Sequence, residues 1–186
     1  GLGDVYKRQA EFIPVNVAIL TVSDTRTEAT DTSGKLLADS VREAGHQVSD
    51  QQISLDDVYK IRAIVSAWIA APNVEAVLIT GGTGFSGRDT TPEAVQPLFD
   101  KNIEGFGELF RQISYNEIGT STIQSRAVGG LANNTVIFCM PGSTNACRTA
   151  WNGIIQQQLD STHKPCNYVK LITGQRSTAE ACESRG

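Results

Sequence analysis

Val74 to Thr90 reads VEAVLITGGTGFSGRDT, a β-branched apolar run that ends directly on three glycines and two threonines. A run this short and this apolar fits a strand buried on both faces of a parallel sheet. Its carboxyl end, Thr80-Gly81-Gly82-Thr83-Gly84, lacks Cβ atoms at three of five positions, so the backbone there is free to turn sharply and offer N–H groups to an anion. A helix opening beyond it, at Pro92 with Thr90 and Glu93 spaced as a capping box, adds a favourable dipole.

The same alternation extends outward on both sides. Asn16 to Val22 (NVAILTV) reads as a buried strand, and after a polar loop Asp31 or Thr32 caps a helix with an apolar stripe of Leu36, Leu37, Val41 and Ala44, ended by Gly45. Gln47 to Ile53 is a weaker strand. Asp56-Asp57 opens a helix in which Ile61, Ile64, Val65, Trp68 and Ile69 keep helical spacing. Downstream, a helix is expected over Gly105 to Glu117. Ala127 to Leu131 and Thr135 to Met140, joined through Asn133-Asn134, read as a hairpin, and Ser143 or Thr144 caps a final long helix. This order predicts an α/β fold of three layers, α/β/α, with a mostly parallel sheet and one antiparallel hairpin at one side. Ligands in such sheets bind at the carboxyl ends of the strands, which here carry the polar loops Ser23 to Arg26, Thr80 to Thr91 and Pro141 to Asn145.

Composition narrows the function. The chain has 186 residues, 40% hydrophobic and 19% charged, which suits one soluble domain able to bury about 70% of its unfolded surface. A net charge of -4 supplies no basic field for nucleic acid or anionic membranes. No apolar run approaches the about 20 residues of a membrane span. Cys139, Cys147, Cys166 and Cys182 have no C-x-x-C spacing, and His46 and His163 are the only histidines; structural zinc is therefore not expected, and the cytoplasm is the expected compartment. Residues 1–10 read as a non-native or disordered leader, 11–172 as the single domain, and 173–186 as a flexible tail.

Two phosphate motifs nearly match. Gly82, Gly84 and Gly87 spell G-x-G-x-x-G, which alone points to a nicotinamide-dependent oxidoreductase, but Arg88-Asp89 and Pro92 delay the helix that the dinucleotide fingerprint needs at its third glycine. In the P-loop pattern Arg88 stands where lysine belongs, and Asp89 where a hydroxyl should reach magnesium. What remains is a phosphate cradle flanked by Arg88, which can fork onto phosphate oxygens, and Asp89, which can ligate Mg²⁺. Asp56 is either a second metal carboxylate or only the cap of the helix it opens.

TGGTGFSGRDTTPEA (Thr80 to Ala94), EGFGE (Glu104 to Glu108), SRAVGG (Ser125 to Gly130) and MPGSTNACRTAW (Met140 to Trp151) together resemble the MoaB/Mog molybdopterin-binding family over about Glu11 to Val169. EFIPVNVAILTVSDTR, DTSGKLLADS and GTSTIQSRAVGG look closer to its MoaB branch. The resemblance implies trimers or hexamers, a role in molybdenum cofactor biosynthesis alongside other proteins of that route, and, in active members, attack of the terminal phosphate of molybdopterin on the α-phosphorus of ATP. It implies catalytic and Mg²⁺-binding roles for Asp56 and Asp89. Phosphate and pterin contacts are implied for Thr80, Gly81, Gly82, Thr83, Gly84 and Arg88, and for Gly142, Ser143 and Asn145 of the PGS loop. The alternative reading is a non-catalytic molybdopterin-binding or scaffold protein on the same fold.

Overall fold

The computed structural model describes residues 11–174. The expected leader, nearly all of the expected tail and Cys182 lie outside the described residues.

Six strands form one sheet in the order β2-β1-β3-β6-β5-β4. β1 (Asn16–Val22), β2 (Gln47–Ser54), β3 (Ala76–Thr80) and β6 (Thr135–Met140) run parallel to one another, while β5 (Val128–Ala132) pairs antiparallel with β6 and carries β4 (Lys101–Asn102), also antiparallel, on its outer edge. The three-layer expectation holds. Strand period two divides the central residues between the faces: Val17, Ile19, Leu78, Val136 and Phe138 join one apolar cluster, whereas Ala18, Leu20, Val77, Ile79 and Ile137 join the other. On the first face lie α1 (Thr32–Glu43), α4 (Glu104–Ile118) and α5 (Thr144–Ala150), with Phe106 and Phe138 4.8 Å apart between ring centroids. On the second lie α2 (Val58–Ala70) and α3 (Thr91–Val95).

Local signals acted largely as the sequence implies. The hairpin turns through Asn133 and Asn134, both at positive φ, the backbone a type I′ turn demands. Asp31 caps α1 by accepting from Gly34 N, and Ser143 caps α5 by accepting from Ala146 N. Two expectations are corrected. α2 is capped by Asp57, whose carboxylate accepts from Tyr59 N and Lys60 N; Asp56 is not a cap. The capping box at α3 does not form, because the Thr90 hydroxyl donates to Asp56 at 2.6 Å and Glu93 pairs with Arg126. The final helix also differs: α5 passes into a π-helical turn, Trp151–Ile155, before the short α6 (Gln156–Gln158). Among the described residues no helix is long and apolar enough to cross a membrane.

Candidate functional site

β1, β3 and β6 are adjacent in the sheet, so the loops leaving their carboxyl ends meet in one cleft of about 490 Å³. Gly81 (φ +103°) and Gly82 (φ +69°) sit in left-handed backbone, where other residues are strained. At Gly81 a Cβ would overlap Val22 O, and at Gly82 it would overlap Thr91 Oγ1 and lie 2.8 Å from Asp56 Oδ2. The turn is thus tied to the end of β6 and the start of α3: Gly81 N donates to Met140 O at 3.0 Å, and Thr91 Oγ1 donates to Gly81 O at 2.8 Å.

Thr80, Gly81, Gly82, Thr83, Gly84 and Arg88 line this cleft, together with Asp56, Asp89, Gly142 and Ser143. Some of their polar groups are committed to the fold. Thr80 is fully buried, its hydroxyl within hydrogen-bond distance of Pro141 O and Cys147 Sγ. Asn145 does not line the cleft; its Nδ2 donates to Glu117 Oε2 at 3.1 Å and so joins α5 to α4.

Asp56 is 7% exposed. Its Oδ1 accepts from Thr90 N and Thr90 Oγ1, at 3.0 and 2.6 Å, while Oδ2 accepts no hydrogen bond from the described residues. Asp89 Oδ2 accepts from Ser86 N at 2.8 Å and lies 2.7 Å from where a Cβ on Gly84 would stand. Each carboxylate therefore keeps one oxygen free of hydrogen bonds. Among the described residues no three His, Cys, Asp or Glu side chains cluster as a metal cage, yet two carboxylates with free oxygens suit Mg²⁺, which binds through one or two of them plus substrate phosphates.

Arg88 is engaged with protein. Its Nε and Nη2 donate to Asp24 Oδ2 and Oδ1 at 2.9 and 2.8 Å, because the guanidinium fork fits a carboxylate as well as a phosphate. That bond, with Asp56 N donating to Asp24 Oδ1 at 3.1 Å, holds the Asp24 carboxyl below the usual carboxylate range.

Sequence reasoning placed the loop Ser23 to Arg26 at the site without singling out Asp24. It also missed Arg126, whose Nε donates to Gly84 O at 2.8 Å and Nη2 to Asp89 O at 2.9 Å, while its own N–H donates to Thr83 O at 2.9 Å. The guanidinium also pairs with Glu93 and lies 5.3 Å from the Phe85 ring centroid. Arg126 staples the glycine turn to the segment before β5. A charged residue directly preceding a strand was the available signal. Phe110, Ser114 and Ile118 of α4 also line the cleft, with Ser121 and Gln124 of the 3₁₀ segment Gly119–Gln124; the latter two lie in the stretch GTSTIQSRAVGG, but none of the five was singled out as a site residue.

Among the described residues no thiol and no imidazole lines the cleft. Burial pushes the Cys147 thiol up to about 11. His46 is buried, with Nδ1 accepting from Val15 N at 3.0 Å, and neither histidine lines the cleft. The cleft is thus lined by the glycine turn, by the guanidinium side chains Arg26 and Arg88, and by the carboxylates of Asp56 and Asp89.

Comparison with known proteins shows the family and the fold. The family described as "Probable molybdopterin binding domain" matches residues 18–161. Molybdenum cofactor biosynthesis protein B of Escherichia coli K12 is 61% identical over 158 residues, covering 85% of this chain and 93% of that protein. A crystal structure of a molybdenum cofactor biosynthesis protein B superposes with a TM-score of 0.77 at 50% identity, covering 79% of this chain and 92% of the other. The tungsten cofactor synthesizing protein MoaB from Pyrococcus furiosus follows with a TM-score of 0.67 at 34% identity, covering 76% and 90%.

Proposed function

The chain belongs to the molybdopterin-binding domain family, and from that premise we propose that it serves molybdenum cofactor biosynthesis as a Mg²⁺- and ATP-dependent molybdopterin adenylyltransferase. The observation that carries the reading is the pair Asp56 and Asp89, each with one oxygen free of hydrogen bonds, in the cleft floored by the glycine turn. In the reaction an oxygen of the molybdopterin phosphate bonds to the α-phosphorus of ATP, the bond from that phosphorus to the β-phosphate bridge breaks, and pyrophosphate leaves. The nucleophile is already an anion, so no general base or covalent enzyme intermediate is required, which matches the absence of an accessible thiol or imidazole in the cleft.

The chain's own groups do the positioning. Backbone N–H groups of Gly82, Thr83 and Gly84 donate to phosphate oxygens, that of Gly81 being taken by Met140 O, Arg88 supplies a fork for further ones, and the PGS loop with Gly142 and Ser143 holds the pterin end. Mg²⁺ held by Asp56 and Asp89 would supply neutralisation of the charge on the triphosphate and the departing pyrophosphate. The free buried thiols Cys139 and Cys147 suit a reducing cytoplasm. Exposed Leu109, Tyr115, Ile118 and Ile123 on α4 and the segment after it offer apolar surface for a homotrimer or homohexamer, which sedimentation at micromolar concentration would register.

One observation favours a second reading, that of a binding-only protein: both carboxylates also clasp loops, Asp56 through Thr90 and Asp89 through Ser86 N. Pyrophosphate release from ATP, Mg²⁺ and molybdopterin separates the two. The parent should release pyrophosphate stoichiometrically with adenylylated product, and Asp89→Asn should lower the rate by about 100- to 1,000-fold while still binding molybdopterin. A parent that binds molybdopterin without releasing pyrophosphate is a binder; an Asp89→Asn variant with parental rates removes Asp89 from the mechanism.

A further inference from the structure

Arg26 and Arg88 both line the cleft; Arg26 Nη1 donates to Thr30 O, whereas the fork of Arg88 is closed onto a carboxylate of the chain itself. Nε and Nη2 each meet a different oxygen of Asp24, at 2.9 and 2.8 Å. The two side chains are 65% and 36% exposed, so water and salt screen the pair and it opens readily. Asp24 Oδ1 also accepts from Asp56 N, which links the state of this fork to the backbone carrying a proposed metal carboxylate.

We propose that Asp24 is a positioning residue acting as an internal competitor for Arg88, so that the cleft admits anions of more than one charge, phosphate monoesters and polyphosphates, by displacement of the Asp24 carboxylate, and discriminates against monoanions. Exchanging one singly charged carboxylate for another singly charged ligand gains no attraction to the guanidinium, whereas a phosphate group of higher charge does, and its tetrahedral oxygens fill the same fork. Release of Asp24 also frees the hydrogen bond from Asp56 N, so phosphate entry and adjustment of the Asp56 loop occur together. The inference rests on the reading of the cleft as a phosphate site and not on adenylyl transfer.

The test is calorimetry with inorganic pyrophosphate on the full chain and on the variants Asp24→Asn, Asp24→Glu, Arg88→Gln and Asp24→Asn/Arg88→Gln, with Asp57→Asn as the control for general field, since Asp57 lies next to Asp56 but caps α2 without touching Arg88. Asp24→Asn should tighten pyrophosphate by about two- to fivefold, the range of an exposed ion pair, and by more than Asp57→Asn does. Asp24→Glu, which keeps the charge, should stay close to the parent. In the Arg88→Gln background, Asp24→Asn should change affinity no more than Asp57→Asn. Weakened or unchanged binding in Asp24→Asn, tightening of the same size without Arg88, or no measurable binding to the parent and Asp24→Asn alike would each overturn the proposal. Because neither molybdopterin nor turnover enters, a parent that shows this coupling but releases no pyrophosphate from ATP would refute the adenylyltransferase reading and leave the role of Asp24 standing.

Discussion

Replacing Asp56 by Asn tests the two-carboxylate reading, and the structure sets its magnitude. Asp57, not Asp56, caps α2, so the helix is untouched. What changes is that two charge-assisted hydrogen bonds, from Thr90 N and Thr90 Oγ1, become neutral ones. Bonds to charged groups contribute about 1.5–3 kcal/mol and neutral ones about 0.5–1.5, so the variant should lose roughly 2 kcal/mol. For a chain of this size that lowers Tm by about 4–8 °C. It remains well inside the stability of roughly 5–15 kcal/mol typical of a domain, so the variant stays folded at assay temperature. Turnover should suffer far more, because loss of a preorganised charge costs about 100- to 1,000-fold, or about 2.7–4 kcal/mol of transition-state stabilisation. The assay is pyrophosphate release at saturating ATP, Mg²⁺ and molybdopterin, beside calorimetry for molybdopterin and a thermal melt. A lowered Tm, near-parental molybdopterin affinity and lost turnover are expected. Parental turnover with the lowered Tm would refute the catalytic role and leave Asp56 as the clasp of Thr90 alone.

Gly82→Val should abolish molybdopterin binding, since its Cβ would overlap Thr91 Oγ1 and crowd Asp56 at a φ of +69°; unchanged calorimetric affinity in a folded variant would place the cradle elsewhere. Arg126→Lys should loosen the glycine turn, because one ammonium cannot replace the bonds to both Gly84 O and Asp89 O. Losing about two bonds of roughly 1 kcal/mol each should accelerate amide exchange around residues 84–89 by about tenfold or more, and parental exchange there would remove Arg126 from this role. His46 carries a pH prediction. Burial lowers its folded pKa below the unfolded value of 6.5, so the unfolded chain binds the extra proton. Stability is then full above about pH 6.5 and falls as acid takes the pH down toward the folded value, by at most about 1.4 kcal/mol per pH unit. Melts from pH 7.5 to 5.5 should show this slope and His46→Gln should reduce it; identical slopes would assign the acid sensitivity to other groups.

The fold was legible wherever a local rule had no competitor. β1 followed from one apolar run, the hairpin from Asn133-Asn134, and α1 and α5 from Asp31 and Ser143 at their starts. The rules failed where a distant partner claimed the same atom. Thr90 and Glu93 have capping-box spacing, but Asp56 takes the hydroxyl and Arg126 the carboxylate. Adjacent aspartates at 56 and 57 could not be assigned from sequence, because either can cap and only the packing of Thr90 against one of them decides. β4 has two residues and owes its existence to pairing with Leu131 and Gly130, so no periodicity could reveal it. At the site the glycines and Asp89 stood out by their place after a buried strand, and Asp56 by its place before a helix, whereas Asp24 and Arg126 act through contacts distant in sequence. Asn145 lies in the right loop, but its side chain is tied to Glu117.

The floor of the cleft is where two loops touch without side chains. A Cβ on Gly142 would stand 3.3 Å from Gly81 Cα, and Gly81 has no room for a Cβ against Val22 O. The ends of β1 and β3 and the loop after β6 thereby meet closely at Gly81. Redesign of specificity has to work from the walls: the residues of α4 and the loop bearing Asp24 can be exchanged one at a time, whereas a side chain at Gly81 would press the ends of β1 and β3 apart and one at Gly142 would need the Gly81 backbone to give way by a few tenths of an ångström.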